Sequence, residues 1–113
     1  MAVPDYQSLM LPLLKIASDG KEHGFSEVLG VLALQVKLTD DERKEQLPSG
    51  TQTRFENRVR WAQIYLKKAG LLENPRRGKF LITERGLTVL KEVPPHINVK
   101  FLRQYPEFLE FQK

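Results

Sequence analysis

The sequence predicts a mainly α-helical α+β domain that contains one small β-hairpin. Three observations support this fold class. Residues 51–72 have the apolar spacing of an amphipathic helix. Two short apolar runs around a tip with Pro and Gly follow at once. Shorter helical stripes lie on both sides of this unit. The chain has 113 residues, of which 41% are hydrophobic and 28% charged, as expected for one folded domain with a modest core.

The central helix has two unlike faces. Its core stripe recurs at i, i+4 and i+7 and consists of Phe55, Val59, Ala62, Leu66 and Ala69. Its outer face is cationic, with amide and hydroxyl groups between the charges, and consists of Thr53, Asn57, Arg60, Lys67 and Lys68, with Arg54 and Trp61 on a flank. Gly70 is expected to end the helix, since glycine readily adopts the left-handed conformation that follows many helices.

The hairpin comprises residues 71–83, and its tip carries Arg76, Arg77 and Lys79. A helix with a cationic outer face followed at once by a hairpin with a cationic tip is the layout of a winged helix-turn-helix. In this class the recognition helix enters the major groove of DNA, and the hairpin, or wing, can reach the neighbouring backbone. The sequence therefore predicts a winged helix-turn-helix fold.

The residues before this unit predict two longer helices, a short strand and a short polar helix. Pro4 and Asp5 suit a first helical turn, and Pro12 either bends that helix or marks its true start. Asp19-Gly20 ends it, and residues 21–23 could form a strand that pairs with the hairpin.

Ser26 is the expected N-cap of the second helix. Thr39 and Glu42 form a capping-box pattern that opens a polar helix ending at Leu47, and residues 47–50 form a turn.

After the hairpin, Thr83 caps one more helix, which Pro94-Pro95 closes. These features predict a domain over residues 1–95. Residues 96–113 are expected to be a C-terminal tail or linker, broken by Pro106 and able to dock through Phe101, Leu102 and Phe108.

Positive charge is concentrated in the helix and hairpin. Residues 1–50 carry five basic and eight acidic side chains, residues 51–85 carry nine and three, and residues 86–113 carry four and three. The middle segment therefore has a net charge of +6, as expected for a surface that binds a polyanion. No apolar run could span a bilayer and no secretion signal or cysteine is present. We therefore expect a cytoplasmic protein that does not bind membranes.

Six blocks of sequence resemble the N-terminal domain of Mrr-type restriction endonucleases, bacterial nucleases that cut modified DNA. The blocks are VPDYQSLMLPLL (3–14), LPSG (47–50), TRFENRV (53–59), WA (61–62), YLKKAGLL (65–72) and ITERG (82–86). The resemblance implies a winged-helix module that precedes a PD-(D/E)xK-type nuclease domain. By this resemblance, the chain is expected to stop where that catalytic domain would begin. It is therefore expected to be non-catalytic, with Mg²⁺ required only by the nuclease domain of a full-length form.

The expected partner is double-stranded DNA, in the bacterial nucleoid. The candidate contacts lie on the helix, its approach and the wing tip: Gln52, Thr53, Arg54, Asn57, Arg58, Arg60, Arg76, Arg77 and Lys79. Arginines suit phosphates or base edges, and Asn57 could pair bidentately with adenine. Arg58 lies near the core stripe, so it could instead pair with an acidic neighbour. Trp61 and Tyr65 could contact a methylated base, although aromatic residues beside a core stripe are typically packing groups.

Catalytic and metal-binding patterns in the chain are weak. Pro4-Asp5 with Glu42-Arg43-Lys44 spells the nuclease motif, as Asp19-Gly20-Lys21 spells its second half, but these residues fall at predicted helix ends and turns. The two histidines are 73 positions apart without a cysteine, which does not match any common metal-ligand spacing.

Two other functions fit the same fold. One is a winged-helix module that binds an acidic protein, since fold does not determine function. The other is a stand-alone transcriptional regulator, in which the segment after Pro95 could supply a homo-oligomer contact.

Overall fold

A computed structural model describes residues 3–113. Residues 1 and 2, which belong to the predicted 1–95 domain, lie outside the described residues. In chain order the elements are α1 (Tyr6–Ile16), a 3₁₀ turn (Ala17–Asp19), β1 (His23–Gly24), α2 (Phe25–Gln35), α3 (Asp40–Lys44), α4 (Arg54–Lys68), β2 (Leu72–Glu73), β3 (Lys79–Ile82), α5 (Glu84–Lys91), α6 (Val99–Leu102) and α7 (Pro106–Gln112). The fold is mainly helical with a small sheet, which confirms the predicted fold class at this level.

The three strands form one antiparallel sheet in the order β1-β3-β2. The predicted hairpin is present, with Leu72 opposite Ile82. The predicted N-terminal strand is present as well and pairs with β3, placing His23 opposite Phe80. The hairpin tip is therefore tied to the segment that leads into α2.

Helix α4 matches its prediction. The Thr53 hydroxyl caps it by accepting from the Glu56 amide (3.1 Å), and Gly70 follows in the left-handed conformation with φ 80°. All five residues of the predicted core stripe are buried. They face α1, which packs along α4. The core face and the outer face of the helix are thus fixed by packing.

Helix α1 begins at Tyr6. The Asp5 side chain caps it by accepting a hydrogen bond from the Ser8 amide (2.7 Å). Pro12 lies inside the helix, so the alternative in which it marks the true start is wrong. Four leucines and Met10 of this helix are buried, and burial on that scale outweighs the roughly 3 kcal/mol cost of an internal proline.

Two predicted helix ends are wrong. Helix α2 begins at Phe25, one residue before the predicted cap Ser26, and Gly24 occupies the N-cap position. Because β1 pairs with β3, the chain stays extended up to Gly24, and the helix begins at the next residue. Helix α3 has the predicted capping box but stops at Lys44 instead of Leu47. There Gln46 pairs with Thr53 in an antiparallel bridge, which draws the loop back towards α4.

The segment after Pro95 forms two helices on the same core. Leu102 and Phe108 are fully buried and Ile97 nearly so, while Phe101 is half-buried. Docking through Leu102 and Phe108 is therefore confirmed. Pro106 occupies the first position of α7, which proline favours because it needs no amide partner there. Within residues 3–113, no helix is both long enough and apolar enough to cross a bilayer.

Candidate nucleic-acid interface

The exposed face of α4 carries Asn57 and Arg60, one turn apart. Asn57 is half-buried and Arg60 exposed. The Arg60 guanidinium carbon lies 3.9 Å from the ring centroid of Phe25, a cation–π contact. This contact leaves the charge in place because no carboxylate takes part in it. It also links the middle of α4 to the first residue of α2.

The hairpin tip adds two exposed arginines, Arg76 and Arg77. The Arg76 Nε donates to Glu22 Oε1 at 2.7 Å, and Glu22 directly precedes β1. The tip is ordered by Asn74, whose side-chain amide donates to the Lys79 carbonyl (2.7 Å). Arg76 is still 69% exposed in this pair, so solvent screens the attraction and the pair can exchange for another anion.

Lys79 connects the hairpin to the β1–α2 junction. It pairs with Gly24 across the sheet, and its Nζ lies 3.6 Å from the point where a β-carbon on Gly24 would stand. The next residue, Phe25, is the one that Arg60 covers. A short path of contacts thus runs from α4 through the β1–α2 junction to the hairpin. We call the polar side chains of α4 and the hairpin that this path links the cationic ridge. They are Asn57, Arg60, Arg76, Arg77 and Lys79.

The start of α4 is held by the preceding loop. The Arg54 Nε lies 3.3 Å from Glu45 Oε1, within ion-pair distance, although the geometry is not that of a hydrogen bond. The backbone carbonyl of Gln52 accepts from the Leu47 amide (3.1 Å), and the Thr53 hydroxyl serves as the helix cap. Of the predicted contacts in this region, Thr53 therefore has a structural role and Arg54 faces a carboxylate.

Arg58 points away from the ridge. Its Nη1 donates to the carbonyl oxygens of Val3 (2.6 Å) and Pro4 (3.3 Å). These partners are neutral, whereas the sequence suggested either DNA or an acidic side chain. The bonds tie the N-terminal segment to α4.

The carboxylates of the nuclease-like patterns serve as caps and turn residues, as predicted. Asp5 caps α1, Glu42 accepts from the Thr39 amide (2.9 Å), and Asp19 accepts from the Lys21 amide (2.9 Å). Among residues 3–113, His, Asp and Glu side chains form no cluster of three that could hold a metal ion.

His23 is buried between two carboxylates and beneath the hairpin. Its Nε2 lies 2.9 Å from Asp19 Oδ1 and its Nδ1 3.3 Å from Glu27 Oε2, while its ring packs near Phe80 of β3. Burial alone would lower the pKa of His23, but the hydrogen bonds with Asp19 and Glu27 outweigh it, so the pKa is raised above 6.5. Both ring nitrogens can donate only in the protonated form.

This raised pKa predicts a pH dependence of stability. Protonated His23 is favoured in the folded state, so its contribution is complete below 6.5 and is lost as pH rises through the folded pKa. We expect the free energy of unfolding in urea to fall as the pH rises above about 6.5, and His23→Gln to flatten that slope. The exposed His96 provides the control, because His96→Gln should keep the slope. An unchanged slope in His23→Gln would contradict this assignment.

Three features of this site were not visible in the sequence pattern. Glu45 lies within ion-pair distance of Arg54, and Glu22 forms an ion pair with Arg76. Phe25 makes a cation–π contact with Arg60. The ion pair of Arg76 with Glu22 joins residues 54 positions apart. Only the pairing of β1 with β3, which was predicted, could have pointed to it.

The fold and the ridge define a small α+β domain with a cationic surface formed by a helix and a hairpin. The family model of the Mrr N-terminal domain matches residues 6–92, so the chain belongs to the Mrr N-terminal domain family. One curated relative is the Type IV methyl-directed restriction enzyme EcoKMrr of Escherichia coli (strain K12), with 29% identity over 86 residues. The match covers 76% of this chain and 28% of that protein. No solved structure matches the chain significantly.

Proposed function

We propose that this chain binds double-stranded DNA as the target-recognition domain of an Mrr-type restriction endonuclease that acts on modified DNA. The cationic ridge carries the proposal, because a path of contacts links the cationic outer face of α4 to the cationic hairpin. Membership of the Mrr N-terminal domain family supports the restriction context. The name of the E. coli relative, a methyl-directed restriction enzyme, supports modified DNA as the target.

The proposed DNA-binding fold is a winged helix, with α4 as recognition helix and the β2–β3 hairpin as wing. The order of elements supports the winged-helix fold. The chain passes in turn through α1, β1, α2, α4, β2 and β3, and it adds only a 3₁₀ turn and the short α3. The sheet order β1-β3-β2 supports it too, because the wing then extends from the strand that pairs with β1. In this arrangement α4 enters the major groove and the wing tip follows the adjacent backbone.

Each candidate residue then has a proposed role. Asn57 reads a base edge, since an amide can pair bidentately with adenine. Arg60, Lys79 and the two tip arginines contact phosphates, which fix the register of the protein on DNA. Gln52, Thr53 and Arg54 approach phosphate at the start of α4.

Arg58 supports the surface indirectly in this proposal. It holds the N-terminal segment against α4, through the bonds to Val3 and Pro4.

We further propose that DNA cleavage belongs to a nuclease domain that follows α7 in a longer form of the protein. Such a domain requires carboxylates that hold Mg²⁺, whereas the acidic residues of this chain's nuclease-like patterns are engaged as caps and turn residues. Because α6 and α7 are packed on the core, any flexible linker would start after α7 and not at residue 96. The proposed site of action is the cytoplasm, on nucleoid DNA.

Salt titration tests the proposed function. We expect a labelled duplex to bind at low salt and its association constant to fall with salt, with a slope of about −0.9 per phosphate neutralised. Five proposed phosphate contacts, from Arg54, Arg60, Arg76, Arg77 and Lys79, predict a slope between about −4 and −5. Fluorescence anisotropy at several salt concentrations gives this slope. Absence of binding at low salt, or binding that does not depend on salt, would overturn the proposal.

A further inference from the structure

Three aromatic side chains line a cavity of about 220 Å³ on the flank of α4. Tyr6 comes from α1, and Trp61 and Tyr65 come from α4. The Tyr65 ring meets Tyr6 at 5.2 Å and Trp61 at 6.0 Å between centroids, both edge to face. Trp61 is nevertheless 45% exposed. A large aromatic surface thus faces solvent inside a formed cavity, which we call the aromatic pocket.

Contacts with other parts of the fold hold Tyr65 and the segment before Tyr6 in place. Tyr65 packs edge to face against Phe108 (5.6 Å) and Phe111 (5.5 Å) of α7. Tyr6 follows the segment that Arg58 ties to α4 through two carbonyl oxygens. Rings held in this way lose little conformational entropy when a ligand enters, so the pocket is preorganised for binding.

The size of the aromatic pocket selects a small flat ligand. Its volume of about 220 Å³ is below the roughly 300 Å³ at which drug-sized sites begin. Aromatic walls favour a π-system that can stack. The two phenol groups can also exchange hydrogen bonds with its edge. Burial and the neighbouring Tyr65 raise the pKa of Tyr6, so its hydroxyl stays protonated at neutral pH.

Charge around the aromatic pocket separates two ligand classes. Aromatic cages can bind quaternary ammonium groups, but the three side chains that line this cavity carry no negative charge. The cation of Lys68 lies 5.5 Å from the ring centroid of Phe111, which packs against the pocket residue Tyr65. The carboxylate of Asp5, the residue before Tyr6, is engaged in capping α1. These surroundings favour a neutral ring attached to a phosphate over a cation.

We propose that the aromatic pocket takes one nucleobase that has left the stack of the bound DNA. This proposal rests on the proposed function, since the base comes from DNA held on the cationic ridge. Trp61 lies one turn after Asn57, at i+4, so one wall of the pocket lies on the same stripe of α4 as Asn57. Proteins that take a base out of the duplex hold it by stacking between aromatic side chains and by contacts to its edge. Stacking does not require a particular base.

Trp61 is the single tryptophan of the chain, so its fluorescence reports on the aromatic pocket directly. Three duplexes of one sequence form the test: fully paired, carrying one bulged base, and carrying an abasic site in place of that base. A bulged base is already unpaired and costs less to extract. We expect on the order of tenfold tighter binding of the bulged duplex than of the other two, together with stronger quenching of Trp61.

Two variants complete the experiment. Trp61→Leu is expected to bring the ratio of bulged to abasic affinity close to one. Leu34→Ser changes an exposed apolar residue on α2 and should keep the ratio. Equal affinity for all three duplexes with unchanged fluorescence would overturn the base pocket while leaving DNA binding intact. A preference that persists in Trp61→Leu would also overturn it. Failure to bind any duplex would overturn the proposed function as well.

Discussion

Replacing Arg76 and Arg77 together by alanine is expected to weaken duplex binding at least about tenfold near 0.1 M salt and to reduce the salt slope by nearly two units. Each phosphate contact contributes a factor of about eight per tenfold change in salt. The contribution of Arg76 is smaller than this factor, because its side chain must leave Glu22 (2.7 Å) before it binds phosphate. Since phosphates carry no sequence information, the loss should be similar for all duplexes.

A matched control separates the hairpin tip from net charge. Lys91 and Lys100 are both exposed, on α5 and α6, and changing both to alanine removes the same two charges away from the cationic ridge. This variant should keep most of the affinity and the slope. Glu22→Gln frees Arg76 and should strengthen binding. If both double variants lose affinity equally, binding depends on overall charge and the ridge has no special role.

Replacing Phe108 by alanine is expected to lower the free energy of unfolding by about 3–5 kcal/mol, the range for a large ring removed from a core. Phe108 is fully buried and packs against Tyr65 of α4. The loss would show that the segment beyond residue 95 belongs to the folded domain. Urea denaturation followed by circular dichroism measures the change.

The substitution Phe111→Ala, on the same helix, is the matched control for Phe108→Ala. Phe111 is 36% exposed, so Phe111→Ala should cost much less than Phe108→Ala. Equal costs would mean that α7 does not pack on the core in the way described.

Local patterns predicted most of the fold. The stripe from Phe55 to Ala69, the capping box at Thr39 and the hairpin all arise from contacts within a few residues, and the spacing of residue types records such contacts. The helix ends at Ser26 and Leu47 were predicted wrongly because sheet pairing and a β-bridge, formed with residues further along the chain, decided them.

The candidate interface was harder to predict because its charges are set by distant partners. Arg58 reaches carbonyl oxygens 54 and 55 positions away, and no spacing rule encodes such a contact. The aromatic pocket was missed for the same reason. Trp61 and Tyr65 were visible on α4, but the third wall, Tyr6, comes from α1. The pairing of hairpin and strand could be predicted, and it brings Lys79 to the β1–α2 junction, which Arg60 of α4 also contacts.

The central claim is that α4 and the hairpin tip present one continuous surface to duplex DNA. Amide chemical shifts of isotope-labelled protein, recorded with and without a short duplex at low salt, test this most directly. We predict that the amides of Gly24, Asn57, Arg60 and Arg77 shift together with the same dissociation constant, while those of α5 stay in place. Shifts confined to α5 and α6, or shifts at α4 without any at the hairpin tip, would contradict the claim.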